Sequence, residues 1–228
     1  MEPKKTIFSE RPALIEPEGN VARINFDIEE STEVINQGEG NAEQEETRTV
    51  FLAHAVRVAQ PLTFDRIKAA MIEAGFDEDK AEEQTAMTLL AMVQGGQHVG
   101  NAVDLAKRAV IARITAYDKS DAVNQFTYNG VPMWLDKDTR NGLIARLNAE
   151  TAVGKQTSTL WLGTQSFTIT PAAGLQMLAA LEVYASECYD KTAEHKAAVA
   201  ALNDEAAILN YDYEEGYPAQ LNFGESQE

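Results

Sequence analysis

The side chains that could do chemistry are few and widely spaced. The chain has three histidines, His54, His98 and His195, and a single cysteine, Cys188. Zinc sites and hydrolase nucleophiles need motifs such as HExxH, paired cysteines or GxSxG, and none of these occurs in the sequence. Cys188 falls on the apolar stripe of a predicted helix, where a buried, unreactive thiol is the expected state. The sequence therefore predicts no metal and no cofactor.

Carboxylates are plentiful, and Asp136 and Asp138 are the best placed for acid–base chemistry. They follow Trp134, and an aromatic ring beside a pair of acids suits a sugar substrate. Both aspartates also stand where a helix would begin, and aspartate is a preferred N-terminal cap. Because capping explains them without any reaction, we predict a non-enzymatic protein and keep a glycan-active enzyme as an alternative.

The charge lies mainly at the two ends of the chain. The net charge is -17, to which residues 1–50 and residues 204–228 contribute -7 each. Acidic ends repel a phosphate backbone, so we predict no nucleic-acid partner. The apolar runs are too short for a membrane span, so we predict no membrane partner either. The acidic ends could meet basic protein surfaces or stay solvated.

The first half of the sequence predicts an α+β domain over residues 21–120, preceded by an extended arm over residues 1–20. Apolar and polar residues alternate from Ala22 to Ile28 and again from Val50 to Val58, which predicts two strands paired as a hairpin. The polar, acidic residues 36–47 between them predict a loop. Three short helices follow, with Thr63 and either Asp77 or Asp79 as N-terminal caps and Gly75 as a C-terminal cap.

Residues 121–203 predict a hairpin followed by a helix, twice. The first hairpin turns at Asn129-Gly130, the pair that type I′ turns favour, and Pro132 indicates an edge strand. The second hairpin spans residues 159–169 and leads into a helix that begins with Pro171. We expect Trp134 and Trp161 to anchor the cores of the two copies, with ligand platforms as the alternative.

The second helix is predicted to be long, from Pro171 to Leu202. An apolar seam with steps of three and four residues runs along it, and its strongest members are Leu178, Leu181, Val199 and Leu202. The seam predicts either self-association into a homo-oligomer or a long amphipathic helix that packs on its own domain.

Residues 204–228 form an acidic, aromatic tail. A disordered tail is normally poor in aromatic residues. We therefore predict that four rings anchor this tail in a groove, on this protein or on a partner, and they are Tyr211, Tyr213, Tyr217 and Phe223.

From about Lys107 to Phe223 the chain resembles a domain family carried by phages and prophages, notably those of gut Bacteroidetes. The resemblance rests on Tyr128–Arg140, Leu160–Gly163, Leu181–Tyr189 and Tyr211–Pro218. Such domains tend to be encoded among tail and tail-fibre genes, and the resemblance supplies no catalytic residue.

The resemblance implies a virion structural protein of the tail, baseplate or fibre attachment that binds other phage proteins. It would be made in the cytoplasm of the bacterial host and reside in the tail region of the virion. A tail-fibre assembly chaperone that is absent from the mature particle is the alternative.

Overall fold

The computed structural model describes residues 3–37, 44–162 and 165–224 of the chain. Helices and strands are both present, as predicted for an α+β protein. The strands in the described residues are β1 Thr6–Phe8, β2 Ile15–Glu18, β3 Val21–Gln37, β4 Gln44–Ala59, β5 Phe126–Tyr128, β6 Val131–Met133, β7 Ser158–Leu162, β8 Gln165–Ile169 and β9 Asn222–Phe223. The helices are α1 Phe64–Glu73, α2 Glu78–Gln94, α3 Ala102–Asp118, α4 Lys137–Ala152, α5 Pro171–Ala201 and α6 Glu205–Leu209.

Two compact units divide the chain. Unit 1 contains residues 1–113 and 199–211, and unit 2 contains residues 114–198 and 212–228. The tail predicted over residues 204–228 thus contributes to both units. The domain boundaries predicted from the sequence stay a prediction. No helix in the described part of the chain has the length and apolar character needed to cross a membrane.

Unit 1 is built on a four-stranded antiparallel sheet with the order β1-β4-β3-β2. The predicted hairpin is confirmed as β3 and β4, but its strands run further than the alternation indicated. Residues 36–37 and 44–47 were expected to lie in a loop, but residues 36–37 pair with 44–45 and residues 46–47 pair with 34–35 along the two strands. The rest of that predicted loop, residues 38–43, lies outside the described residues. Backbone hydrogen bonds along a long strand pair can keep polar residues in the sheet, even where apolar and polar residues do not alternate.

A β-bulge makes the inner face of β3 differ from the predicted one. Ala22, Ile24 and Phe26 are buried as expected. The register then shifts between Phe26 and Glu29, and Asp27 takes a φ of 49°. An extra residue in one strand reverses the alternation beyond it, so Ile28 leaves the face that it was predicted to share.

The helices of unit 1 begin and end where the capping residues indicated. The Thr63 hydroxyl accepts from the Arg66 N–H at 3.4 Å, and the Asp77 carboxylate accepts from the Lys80 N–H at 2.9 Å. Gly75, at φ 99°, ends α1, and the N–H of the next residue, Phe76, donates back to the Met71 carbonyl at 3.1 Å. This return brings Phe76 into the core, 5.2 Å from the Phe26 ring.

Unit 2 contains the two predicted hairpin–helix copies, β5-β6-α4 and β7-β8-α5. Asn129 and Gly130 both have positive φ, 50° and 76°, as a type I′ turn requires. Pro132 lies in β6, an edge strand of a sheet ordered β6-β5-β9, which confirms its predicted place. Two hairpins of different sequence therefore share one topology.

Both copies of unit 2 bury side chains in one core. Its fully or almost fully buried members are Phe126, Leu135, Leu147, Leu160, Met177, Leu178 and Leu181. Trp134 packs against this core, but Trp161 is 66% exposed, so the expectation that both tryptophans anchor the core is wrong for Trp161.

The apolar seam of α5 is the buried face of the helix. Leu178, Leu181 and Val199 have no exposed surface, and Leu202 is half-buried just beyond the helix end. In the structure, the helix therefore packs against its own chain. Self-association through the seam stays a prediction, and it would require Leu178 and Leu181 to leave the core of unit 2.

A cluster of charges joins the end of α4 to the start of β7. The Glu150 carboxylate contacts the Arg146 Nε at 3.1 Å and the Lys155 Nζ at 2.7 Å. Arg146 also donates through Nη2 to the Thr159 carbonyl at 2.9 Å. The Lys155 ammonium, helped by Arg146, holds the pKa of Glu150 down from 4.5 to about 2.

We expect acid to weaken this junction. A carboxylate whose pKa is lowered by folding stabilises the folded state above its ordinary pKa, and the stabilisation disappears as the pH falls through the folded-state value. Urea unfolding of the wild type and Glu150→Gln should therefore differ at pH 6 and converge between pH 4.5 and about 2. Glu73→Gln, at an exposed carboxylate that ends α1, is the control. A difference that stays constant with pH would contradict the assignment.

Asp136 should matter to α4 as its cap. We expect Asp136→Ala to lower the melting temperature by about 3 °C, because the orphan N–H at Thr139 loses its acceptor. Asp138→Ala, in the same first turn, should have a clearly smaller effect, measured by circular dichroism. Equal effects of the two substitutions would show that general charge, and not the cap, is responsible.

Candidate protein-binding site

The residues that could do chemistry lie in separate surroundings. His54 is buried beside the rings of Phe26 and Phe76, at 5.6 and 4.9 Å, and His98 is exposed between α2 and α3. Cys188 is buried, and burial raises the pKa of its thiol, which disfavours the reactive thiolate. Within the described ranges, no group of three His, Cys, Asp or Glu side chains could hold a metal ion.

The two carboxylates considered for glycan chemistry have local roles at the start of α4. Asp136 accepts from the Thr139 N–H at 2.8 Å through Oδ1 and from the Thr139 hydroxyl at 2.9 Å through Oδ2. The Thr139 N–H is the main cause that lowers the pKa of Asp136. A lowered pKa favours the ionised form, which is the opposite of what a general acid needs. Asp138 is exposed.

The tail joins unit 2 first as a strand. β9 pairs in parallel with β5, and the N–H groups of Thr127 and Asn129 donate to the carbonyls of Leu221 and Phe223 at 2.9 and 2.8 Å. The Thr127 hydroxyl donates to the Asn222 side chain at 2.7 Å. The Phe223 ring meets Phe126 edge-on at 5.7 Å. The tail therefore covers one edge of the first hairpin.

Aromatic rings hold the preceding part of the tail. Tyr117, at the end of α3, lies 5.9 Å from the Tyr213 ring and 5.4 Å from the Tyr217 ring. Tyr217 also stacks on His195 of α5 at 5.6 Å. Each such pair contributes about 0.5–1.5 kcal/mol beyond the area that it buries.

A short chain of hydrogen bonds lies beneath these rings. The Thr192 hydroxyl donates to the Asp118 carboxylate at 2.7 Å. Its single proton is thereby used, so the Tyr217 hydroxyl, 2.9 Å away, donates to the Thr192 oxygen. Burial raises the pKa of Tyr217. The pKa of Tyr117 is raised by burial and by the charges of Glu214 and Asp212, so both rings stay protonated donors at neutral pH.

Acidic side chains of the tail stay on the surface while its rings turn inward. Asp212, Glu214 and Glu215 are exposed. Their backbone is nonetheless held in place, since the Glu215 carbonyl lies 3.0 Å from the His195 Nε2 and the Glu214 N–H donates to Asp212 at 3.1 Å. We call Asp212, Glu214 and Glu215 the acidic ridge. It presents ordered negative charge next to half-buried tyrosines.

The structure places three of the four predicted anchor rings against unit 2. Tyr213, Tyr217 and Phe223 make the ring contacts given above, and Tyr211 is half-buried within unit 1. Tyr213, Tyr217 and Phe223 therefore contact other rings of their own chain. Binding of a partner by these four residues stays a prediction.

Some residues of the site carried no signal in the sequence. Asp118 and Thr192 lie within predicted helices, and nothing local marks them as partners of the tail. Their hydrogen-bonded chain with Tyr217 forms only when the tail folds onto unit 2. Arg140 is almost fully buried, donates to the Leu135 carbonyl at 2.7 Å and to Glu182 at 3.0 Å, and lies over the Trp134 ring at 5.6 Å. The burial of Arg140 has no sequence signature, because the carboxylate that pairs with it belongs to Glu182, on a helix distant in the sequence.

Residues 105–215 match a family described as Domain of unknown function (DUF4376), which spans just under half of the chain. This range overlaps most of Lys107–Phe223, for which a resemblance to a domain family was expected, and the description of the matched family assigns no function. No curated protein and no solved structure matches the chain.

We expect Tyr217 to hold the tail on unit 2. Tyr217→Ala removes two ring contacts and a hydrogen bond, so the free energy of unfolding should fall by about 2 kcal/mol, whereas Tyr217→Phe should cost about 1 kcal/mol. Amide hydrogen exchange should accelerate at Thr127 and Asn129, whose N–H groups donate to the tail.

The matched control is Tyr189→Ala, because this tyrosine of α5 is 70% exposed. It should change the free energy of unfolding by less than about 0.5 kcal/mol and leave exchange at Thr127 and Asn129 unchanged. Unaltered exchange in Tyr217→Ala would show that the tail is held independently of this ring.

Proposed function

We propose that the protein is a structural component of a tailed bacteriophage virion that acts by binding other protein chains. Its place would be the tail region, as a component of the tail, baseplate or fibre attachment. The resemblance over Lys107–Phe223 to a domain family encoded among tail and tail-fibre genes supports the setting.

The observation that carries the proposal is the ordered acidic ridge of the tail. Disordered carboxylates are solvated one by one and discriminate poorly between partners. Asp212, Glu214 and Glu215 are instead held beside Tyr213 and Tyr217 by ring contacts and backbone hydrogen bonds. Fixed charge next to aromatic surface is what a protein interface uses for specificity and for fast association. The fitting partner is a phage protein with a basic patch.

The surface charge also limits which partners fit. With a net charge of -17, the chain repels acidic surfaces and attracts basic ones over a distance of about 8 Å at physiological salt. Binding through the acidic ridge should therefore weaken as the salt concentration rises. An interface built on apolar contacts alone would not show this dependence.

Mass spectrometry of purified phage particles, with the copy number determined, tests the proposal. We expect the protein in particles at a copy number that is a multiple of three or six, as the symmetry of a tail requires. Major capsid and tail-tube proteins of the same particles supply the scale for the copy number.

Absence from particles would contradict the structural role. If the protein were then abundant in the infected lysate and rescued fibre folding on co-expression, the assembly-chaperone alternative would replace it. Salt-sensitive capture of a phage protein by the wild type, lost in Asp212→Asn/Glu214→Gln/Glu215→Gln, would identify the partner in either case.

A further inference from the structure

An open groove lies on the surface of unit 2, between α5 and the tail. Its volume is about 400 Å³, and most of its lining is apolar. The side chains that line it include Ala180, Val183 and Glu187 of α5 and Pro218, Ala219 and Leu221 of the tail. A concave, mainly apolar surface of this size, with a charged group at its side, has the general character of a binding site. We call it the α5–tail groove.

Both walls of the α5–tail groove are held in place by contacts within unit 2. On the helix side, the Tyr184 side chain is buried, and its hydroxyl donates to the Val123 carbonyl at 2.8 Å. On the tail side, the Leu221 carbonyl accepts from the Thr127 N–H at 2.9 Å. The groove is therefore formed before a partner arrives, and binding does not have to order its walls.

Val183 is the most exposed apolar side chain of this groove. It is 59% exposed, whereas Leu181 and Tyr184 of the same helix are buried. A single exposed apolar residue is ordinary on a protein surface. Here Val183 shares a concave surface with Pro218 and Leu221, which are half-buried. The apolar surface is thus continuous across two segments of the chain, and it suits an aliphatic side chain.

Negative charge continues from the groove along one side of α5. Val183, Glu187 and Asp190 are separated by four and three residues, so they lie on the same side of the helix. The carboxylates of Glu187 and Asp190 are exposed. Lys191, the base beside them, pairs with Glu194 at 2.7 Å. The apolar end of this helix side is therefore followed by a negative one.

The acidic ridge lies further along the same helix. The Glu215 carbonyl is 3.0 Å from the His195 Nε2, and His195 follows Val183 by 12 residues, or about 18 Å of α-helix. An extended peptide covers that distance with about five or six residues. Residues 212–224, the described tail in unit 2, contain no basic residue. A segment lying along α5 would therefore meet apolar surface at one end and carboxylates over the rest of its length.

We propose that the α5–tail groove takes an aliphatic side chain from a segment of another protein, and that this segment carries lysine or arginine within about six residues of it. The inference rests on the proposed function, because it specifies how the basic partner of the acidic ridge is recognised. The apolar anchor fills the groove, while the basic side chains meet Glu187, Asp190 and the ridge. A second copy of this chain fits less well, since its net charge of -17 opposes close approach.

Amide NMR spectra of the full chain, titrated with short synthetic peptides, test the proposal. The probe peptide is built of glycine and serine and carries one leucine and, a few residues later, a pair of lysines. At low salt we expect shifts centred on Val183 and Ala219 that extend to Asp190, with a dissociation constant on the order of 1 mM for so short a ligand. Replacing the leucine, or both lysines, by serine should raise the dissociation constant at least about fivefold.

Two variants separate the apolar contribution from the charged one. Val183→Gln keeps a good helix former but removes apolar surface from the groove, so the probe should bind at least about fivefold more weakly. Glu187→Gln should weaken the probe but not the peptide without lysines. The matched controls are Tyr189→Ala, at an exposed ring on another side of α5, and Glu73→Gln in unit 1, and neither should alter binding.

Three results would overturn the proposal. The first is an absence of shifts in the groove, or shifts centred elsewhere. The second is equal binding of the three peptides, or unchanged binding in Val183→Gln. The third is a concentration-dependent shift at Val183 without peptide, because a second copy would then occupy the groove. Absence of the protein from phage particles would contradict the proposed function without changing these spectra, so the two failures are distinguishable.

Discussion

The packing of unit 2 depends on the close approach of α5 to α4 at Gly174. A Cβ atom at this position would lie 2.8 Å from the Leu147 Cδ1 and 2.9 Å from the Ile169 Cδ1. Both distances are shorter than real carbon contacts, so only glycine lets the helices meet here without a shift. The approach brings Leu178 and Leu181 of α5 into the same core as Phe126 and Leu160 of the two hairpins. Because protein cores are close-packed, a change at this point would be felt by both hairpins.

The tail extends this arrangement outward from the core. Phe223 packs on Phe126, and β9 satisfies the free edge of β5. The tail also brings Tyr217 against His195 and Thr192, so the polar half of the α5 seam is covered by aromatic surface and hydrogen bonds. The acidic segment can stay ordered in this way because its aromatic rings are shielded from water while its carboxylates remain solvated. In the described part of the chain, no strand takes the same place beside β7, the counterpart of β5 in the second hairpin.

Local signals in the sequence predicted the elements well. Thr63, Asp77 and Asp136 cap their helices, and Asn129-Gly130 turns its hairpin, because capping and turn chemistry involve only neighbouring residues. The seam of α5 identified a buried face, since a period of three and four residues reports burial directly. That period is the same for a face covered by its own chain and for one covered by a partner, so the seam alone could not distinguish the two.

Signals that depend on distant residues failed. The bulge at Asp27 moved Ile28 off the inner face, and the paired strands continued through polar residues that resembled a loop. Trp161 was expected in the core and lies on an exposed strand face. Each error has the same origin, because register and exposure are decided by what lies across the sheet. Of the candidate site, the sequence supplied the aromatic rings but not Asp118 or Thr192, which they reach.

The sequence by itself determined the α+β class, the repeated hairpin–helix order, the length of α5 and the acidic, aromatic character of the tail. These follow from periodicity, composition and local turn chemistry. The tertiary structure decided that the seam of α5 is buried against its own chain, that the tail adds a strand to β5, and that, among the described residues, β7 pairs with β8 alone. Such outcomes depend on contacts between residues up to about a hundred positions apart, for which a single sequence carries no local physical signal.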